Sequence, residues 1–380
     1  MNENNNNGLN EFNKKNIELR NARVKKRNIQ KCAVLVVFLL LIVILSSILW
    51  LVILDISENL GVNPPAGDPS LTTDGADLTT PSITTKPSDD VTDEVTTAPD
   101  VTTPEQTTPA VTEPAFKVVY KNYTKAQMYS GSLILVNEEH PFIAPTDLDA
   151  KLDRIASYKP EGSKALYFRA SNVQLLPSVS IKLYEMAQAS LDATKINDLT
   201  VSTTGAYRTF DEQQTLYTTN QSNFPGGCSD FNTGMAVYLI GWTDDNKIYE
   251  WDDSNYANGA VIAEWFETNS YKYGFIKRFQ ASKVAITGSP EAVGMYRYVG
   301  YIHAYNMVQN NLCLEEYLIA ISKYTFDGEH YQVTADDGHK YEIYYVASAG
   351  DITSVPVPES LPYEVSGDNI GGYIVTVTLD

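Results

Sequence analysis

Cysteine is scarce, at three in 380 residues, which excludes a fold stapled by disulfides, since such scaffolds need a dense, paired set of thiols. Histidine is little commoner, at four, so any His-based metal site must be drawn from a very small stock. Basic residues are outnumbered, 28 Lys and Arg against 47 Asp and Glu, for a formal net charge of −19. So acidic a chain lacks the phosphate-neutralising surface that nucleic acid demands, and no nucleic-acid partner is expected. Apolar material is not lacking: 43% of residues are hydrophobic, enough for a sizeable core. The chain also exceeds the ~100–200 residues of an ordinary domain, so it must be divided.

The divisions show as shifts in composition. Residues 1–31 carry Lys14, Lys15, Arg20, Arg23, Lys25, Lys26, Arg27 and Lys31 in an Asn-rich, apolar-poor setting. Such a stretch reads as a disordered basic tail. Cys32 to Leu54 is an uncharged apolar run. At about 1.5 Å per residue it spans roughly 35 Å, enough to cross a bilayer core. It is longer than the ~7–15 apolar residues of a secretory signal peptide, so a retained single transmembrane helix is expected. Basic residues flank only its N-terminal side, which predicts a cytoplasmic N-terminus and an extracellular remainder at the cell membrane. Residues 55–115 are rich in Thr, Pro and acidic side chains. They hold too little apolar surface to offset the entropy of ordering, and predict a disordered, extended stalk whose Thr residues are open to O-glycosylation.

The globular part is expected from about Phe116. Ser132–Asn137 (SLILVN) predicts a strand. Val179, Leu183, Met186, Ala187 and Leu191 recur at helical spacing, and Pro177 suits an early helix position, so a helix is predicted over Leu176–Leu191. Leu199–Thr203 and the apolar run Gly234–Trp242 predict strands, and Gly259–Asn269 and Glu315–Lys323 predict helices. Beyond Tyr324 the pattern changes: Tyr331–Ala335 and Lys340–Val346 flank Asp336-Asp337-Gly338-His339, a hairpin signal, and Tyr373–Leu379 reads as another strand. Residues 324–380 are read as a small β appendage with no visible chemistry, after a main domain over 116–323.

Within the main domain five blocks occur in a telling order: Leu135-Val136-Asn137-Glu138-Glu139-His140-Pro141; Ala206-Tyr207-Arg208-Thr209 with Gln213; Pro225 through Tyr238 (PGGCSDFNTGMAVY); Trp265 through Phe279 (WFETNSYKYGFIKRF); and Glu291 through Gly300 (EAVGMYRYVG). Together they resemble the D-alanyl-D-alanine carboxypeptidases of the VanY type, zinc enzymes that trim peptidoglycan stem peptides. The resemblance runs from about Ser132 to Ala320. It implies an α+β class, a mixed sheet-and-helix fold, and a zinc ion held by His, Asp and His, with a Glu beside the second His as general base. Catalytic zinc of this kind needs three protein ligands and one open position for water.

Aligned through Ser229, Gly234 and Ala236, the first His position falls on Phe231 and the Asp on Tyr238. Aligned through Tyr296-Arg297-Tyr298-Val299-Gly300, the second His falls on Met295 and the Glu on Ala292. Phe and Ala offer no donor, Met is a soft thioether, and Tyr is an uncommon zinc ligand. No catalytic residue, metal ligand or cofactor is therefore assigned. Asp230, Glu291, Cys228 and His303 lie close enough in sequence to rebuild a displaced site. In an extended segment, however, a one-residue shift aims a side chain at the opposite face. Cys228 has no His at useful spacing to activate it as a nucleophile, although it could pair with Cys313. The resemblance places Arg208, Gln213 and Ser229 near a substrate's terminal carboxylate, which suits a planar guanidinium. Phe231 and Tyr238 are expected to plug the volume of the metal.

The expectation is a membrane-anchored extracellular carboxypeptidase homologue without catalysis. It would bind peptidoglycan stem peptide or a cell-wall remodelling protein. An active carboxypeptidase with displaced zinc ligands is the enzyme alternative, and a structural spacer is the third class.

Overall fold

The computed structural model describes residues 116–380. The basic tail, the apolar run Cys32–Leu54 and the Thr/Pro-rich stalk lie outside the described residues. Among the described residues no helix is long and apolar enough to cross a membrane.

The amphipathic pattern after Leu176 forms an 18-residue helix, Pro177–Thr194. It begins with Pro where no backbone donor is needed and stops at Lys195 in the left-handed conformation. Val179, Leu183, Met186 and Ala187 are buried, each larger side chain contributing roughly 1.5–3 kcal/mol by leaving water. They pack on a six-stranded sheet with the order Tyr167–Phe168, Leu199–Val201, Ala236–Trp242, Met295–Tyr298, Phe275–Lys277, and Ile248–Tyr249 beside Ala236–Trp242. Only the first pairing is parallel. Helix Gly259–Asn269 adds Ile262 and Phe266 to the same core.

The segment Ser132–Asn137 is not a strand. Its side chains are buried on both sides: Leu133 and Leu135 enter one core, Ile134 and Val136 another. Its backbone bonds go elsewhere than to a neighbouring strand. Leu133 N donates to Ser366 Oγ, Leu135 N to the Asp368 carbonyl, and Arg297 donates to the carbonyls of Ser132 and Ile134. A continuous apolar run suits a segment buried on both faces, but whether it pairs with a strand is a tertiary matter.

The C-terminal strands form a four-stranded antiparallel sheet, Tyr331–Thr334, Lys340–Ala347, Gly372–Thr378 and Tyr363–Gly367 in that order. The predicted hairpin closes through Gly338 at φ +88°. This region draws a strand from the other end of the domain. Val118–Thr124 pairs antiparallel with Ile352–Pro358 over seven residues, and Val119 and Tyr123 join Val355, Tyr373 and Val375 in one core. A further core joins helices Tyr301–Gln309 and Leu314–Ile321 to Ile343 and Ile374 of the C-terminal sheet. His303 is buried in that joint, with Tyr317 OH 2.7 Å from Nδ1 and Thr376 Oγ1 3.0 Å from Nε2. Burial pulls its imidazole down to about 3, so the ring is neutral.

Candidate functional site

The site grows from one turn. Asp230–Thr233 is a single 3₁₀ turn capped by Ser229, whose Oγ accepts from Phe231 N. It ends at Gly234, φ +70°, where a Cβ would stand 2.6 Å from Leu152 Cδ2. The chain there requires both a left-handed backbone and the absence of a side chain. The turn delivers the strand Ala236–Trp242, which pairs with Met295–Tyr298 so that Tyr238 sits opposite Met295.

Phe231, Tyr238, Ala292 and Met295, distant in sequence, thereby meet. Phe231, Ala236, Phe279 and Met295 form a buried apolar cluster, with Phe224, Tyr238 and Ala292 packed on it. Phe224 stacks on Phe279 with ring centroids 5.5 Å apart. The Tyr238 hydroxyl donates to Glu250 Oε2 at 2.6 Å, so its polar end is engaged and its ring covers the cluster.

Arg208 lies over this cluster, its Cζ 4.0 Å from the Phe231 ring centroid. Nε donates to the Thr204 carbonyl at 2.6 Å and Nη1 to Gln213 Oε1 at 2.9 Å. Gln213 is buried and donates to Ser222 Oγ and the Phe224 carbonyl, both at 2.7 Å. Gln213 thus holds the arginine and has no amide hydrogen to spare for a ligand. Among the described residues no carboxylate pairs with Arg208. Burial lowers its guanidinium to about 10, a pull that Glu212 only partly opposes. A charged, half-buried guanidinium with donors left over suits an incoming anion. Ser229 is buried and spends its oxygen on the turn, so it supports Phe231 and offers no exposed contact.

The displaced-ligand candidates are committed to other partners. Asp230 is buried between two arginines, 2.7 Å from Arg278 Nε and 2.6 Å from Arg297 Nη1. Arg278 also makes a bidentate pair with Glu315. Glu291 pairs with Lys277 at 2.7 Å. Cys228 and Cys313 are both free and buried, which corrects the suggestion that they pair. Burial raises both thiols, that of Cys313 to about 12, which disfavours thiolate chemistry. Zinc does not fit the aligned positions: an aromatic ring, a methyl, a thioether and a phenol already bonded to Glu250 supply no ligand set. Among the described residues no three His, Cys, Asp or Glu side chains converge on a possible metal.

The sequence reading missed Phe224 and Phe279, the rest of the apolar cluster, and the ionic cluster behind it. Phe279 and Arg278 stand inside a quoted block, so spacing marked them without disclosing a role. A cleft of about 230 Å³ lies nearby, lined by Ser132, Phe142, Leu176, Met235 and Tyr298 among others, and by none of the candidate residues.

A family model described as VanY, D-alanyl-D-alanine carboxypeptidase, matches residues 176–301. A D-alanyl-D-alanine carboxypeptidase of Enterococcus faecium is 30% identical over 259 residues, covering 68% of this chain and 78% of the relative. The chain belongs to the VanY-type D-alanyl-D-alanine carboxypeptidase family. A second enzyme of this description, from Enterococcus faecalis, is 28% identical over 206 residues, covering 49% of this chain and 65% of its own. The fold agrees with the vancomycin-resistance D,D-dipeptidase VanXYg, crystallised with a D-Ala-D-Ala phosphinate analogue. That structure is 26% identical with a TM-score of 0.55, covering 69% of this chain and 99% of its own.

Proposed function

We propose that this VanY-family chain is a membrane-anchored, extracellular carboxypeptidase homologue that binds the D-alanyl end of peptidoglycan stem peptides without cleaving them. The reading rests on one observation above others: Phe231, Tyr238, Ala292 and Met295 converge in a single apolar cluster, and Arg208 stands over it with donors to spare. In the family these positions would carry zinc and its base. Here they form a dry wall, on which a terminal carboxylate could be held by Arg208 while no activated water stands beside the peptide bond. The D-Ala-D-Ala analogue bound by the related dipeptidase supports the choice of ligand. The apolar run Cys32–Leu54 and its one-sided basic flank support the anchor and its orientation.

The test is direct. The purified full chain is assayed for bound zinc and for D-alanine release from a stem pentapeptide, and the same pentapeptide is titrated by calorimetry. The expected outcome is no stoichiometric zinc, no release, and saturable binding that Arg208→Ala weakens by at least about tenfold, the scale of one charge-assisted hydrogen bond. Stoichiometric zinc with chelator-sensitive release would overturn the reading in favour of an active enzyme. No binding would favour a structural spacer.

A further inference from the structure

The turn between the last two strands reaches the candidate site through a chain of hydrogen bonds. Asn369 occupies that turn at φ +59°, a left-handed conformation Asn tolerates, and is nearly buried. The turn is held rigidly: the Asp368 carboxylate accepts from the N–H groups of Ile370, Gly371 and Gly372, and Asn369 N donates to the Met128 carbonyl. The Asn369 side-chain amide donates to three carbonyls of one segment, Leu135 at 2.8 Å, His140 at 3.1 Å and Pro141 at 3.2 Å. The next residue, Phe142, donates from its N–H to the Gly227 carbonyl at 2.7 Å. Gly227 N donates to Asn232 Oδ1 at 3.1 Å, and Asn232 Nδ2 donates to the Arg208 carbonyl at 2.8 Å. Each link is a hydrogen bond of ordinary length, 2.7 to 3.2 Å, and the last ends on the residue that stands over Phe231.

We propose that Asn369 is a positioning residue for the candidate site: by holding the segment Leu135–Pro141 it sets Phe142 and Gly227, and through Asn232 the backbone of Arg208. The C-terminal sheet then has a task, which is to fix one wall of the site from outside the central sheet. Rigid supports of this kind decide how well a binding group is held. The functional half of the inference rests on the peptide-binding reading; the structural half does not.

The test uses the full chain and Asn369→Asp, which keeps size and tolerates the same backbone but turns a carboxylate toward three carbonyls. Amide exchange is followed by mass spectrometry or NMR. The expected result is exchange faster by about tenfold, the worth of about one lost hydrogen bond, at residues 135–142 and 227–232. Residues 236–242 and 177–194 keep their rates, as does the whole chain in Ile370→Ala, an exposed side chain of the same turn. Unchanged exchange at 135–142, acceleration throughout the chain, or an equal effect of Ile370→Ala would each overturn it. In a parallel titration with the stem pentapeptide, Asn369→Asp is expected to weaken binding several-fold. Equal affinity alongside the altered exchange would overturn the link to the site. If the pentapeptide binds neither protein, the peptide-binding reading fails, and the exchange result alone still decides whether Asn369 holds the wall.

Discussion

Asp230 and Phe231 are neighbours in one turn and face opposite chemistries. Asp230 enters a buried ionic cluster with Arg278, Arg297 and Glu315 in which every charge has a partner within 3.0 Å. Phe231 enters an apolar cluster flanked by two arginines: Arg278, already paired with carboxylates, lies with its Cζ 4.7 Å from the Phe279 ring centroid, and Arg208 stands over Phe231 with donors unspent. The ionic cluster is closed and can do nothing but hold the fold, because buried charges so paired cannot be recruited without a large desolvation cost. The apolar cluster is closed behind and open toward Arg208. The difference teaches which charge in this molecule is structural and which is available.

Three substitutions sharpen that contrast, in descending order of expected effect on stability. Asp230→Ala leaves Arg297 without its carboxylate, while Arg278 keeps Glu315. It is expected to cost about 3–5 kcal/mol in chemical denaturation, and a loss below 1 kcal/mol would show that the ionic cluster is not what holds the turn. Phe231→Ala removes a ring from the apolar cluster and is expected to cost about 3 kcal/mol. A smaller loss than that of an exposed control such as Phe210→Ala would mean the cluster is loosely packed. Arg208→Ala removes a half-buried cation–π contact, a hydrogen bond to the exposed Thr204 carbonyl and one to the buried Gln213 Oε1, and should cost about 1–2 kcal/mol. A cost as large as that of Asp230→Ala would make Arg208 structural and remove the basis for calling it a binding group.

Much of the fold was legible before any coordinates. The helix Pro177–Thr194 followed from apolar spacing and Pro177, and the hairpin Tyr331–Ala347 from its turn residues, because those signals are local. Strand ends were less so: Leu199–Val201 stops two residues short of the expectation because Gly205 N turns back to the Ser202 carbonyl. Ser132–Asn137 was misread because nothing in its own residues reveals that Ser366, Asp368 and Arg297 satisfy its backbone. At the candidate site, register alone brought attention to Phe231, Tyr238, Ala292 and Met295. That Asp230, one residue away, is locked between two arginines was invisible, since its partners lie 48 and 67 residues along the chain.

The sequence by itself determined the family, the order of elements and the residue types at the four aligned positions, because motif spacing and side-chain chemistry are properties of the chain. The tertiary structure decided which of those residues touch and which charges are spent. It also decided that residues 118–124 pair with 352–358 in a two-stranded sheet sharing a core with the four-stranded C-terminal sheet, and that the turn at Asn369 bonds to the segment Leu135–Pro141. Those are outcomes of pairing between distant segments, where burial and hydrogen-bond satisfaction are settled jointly and no local pattern carries the answer.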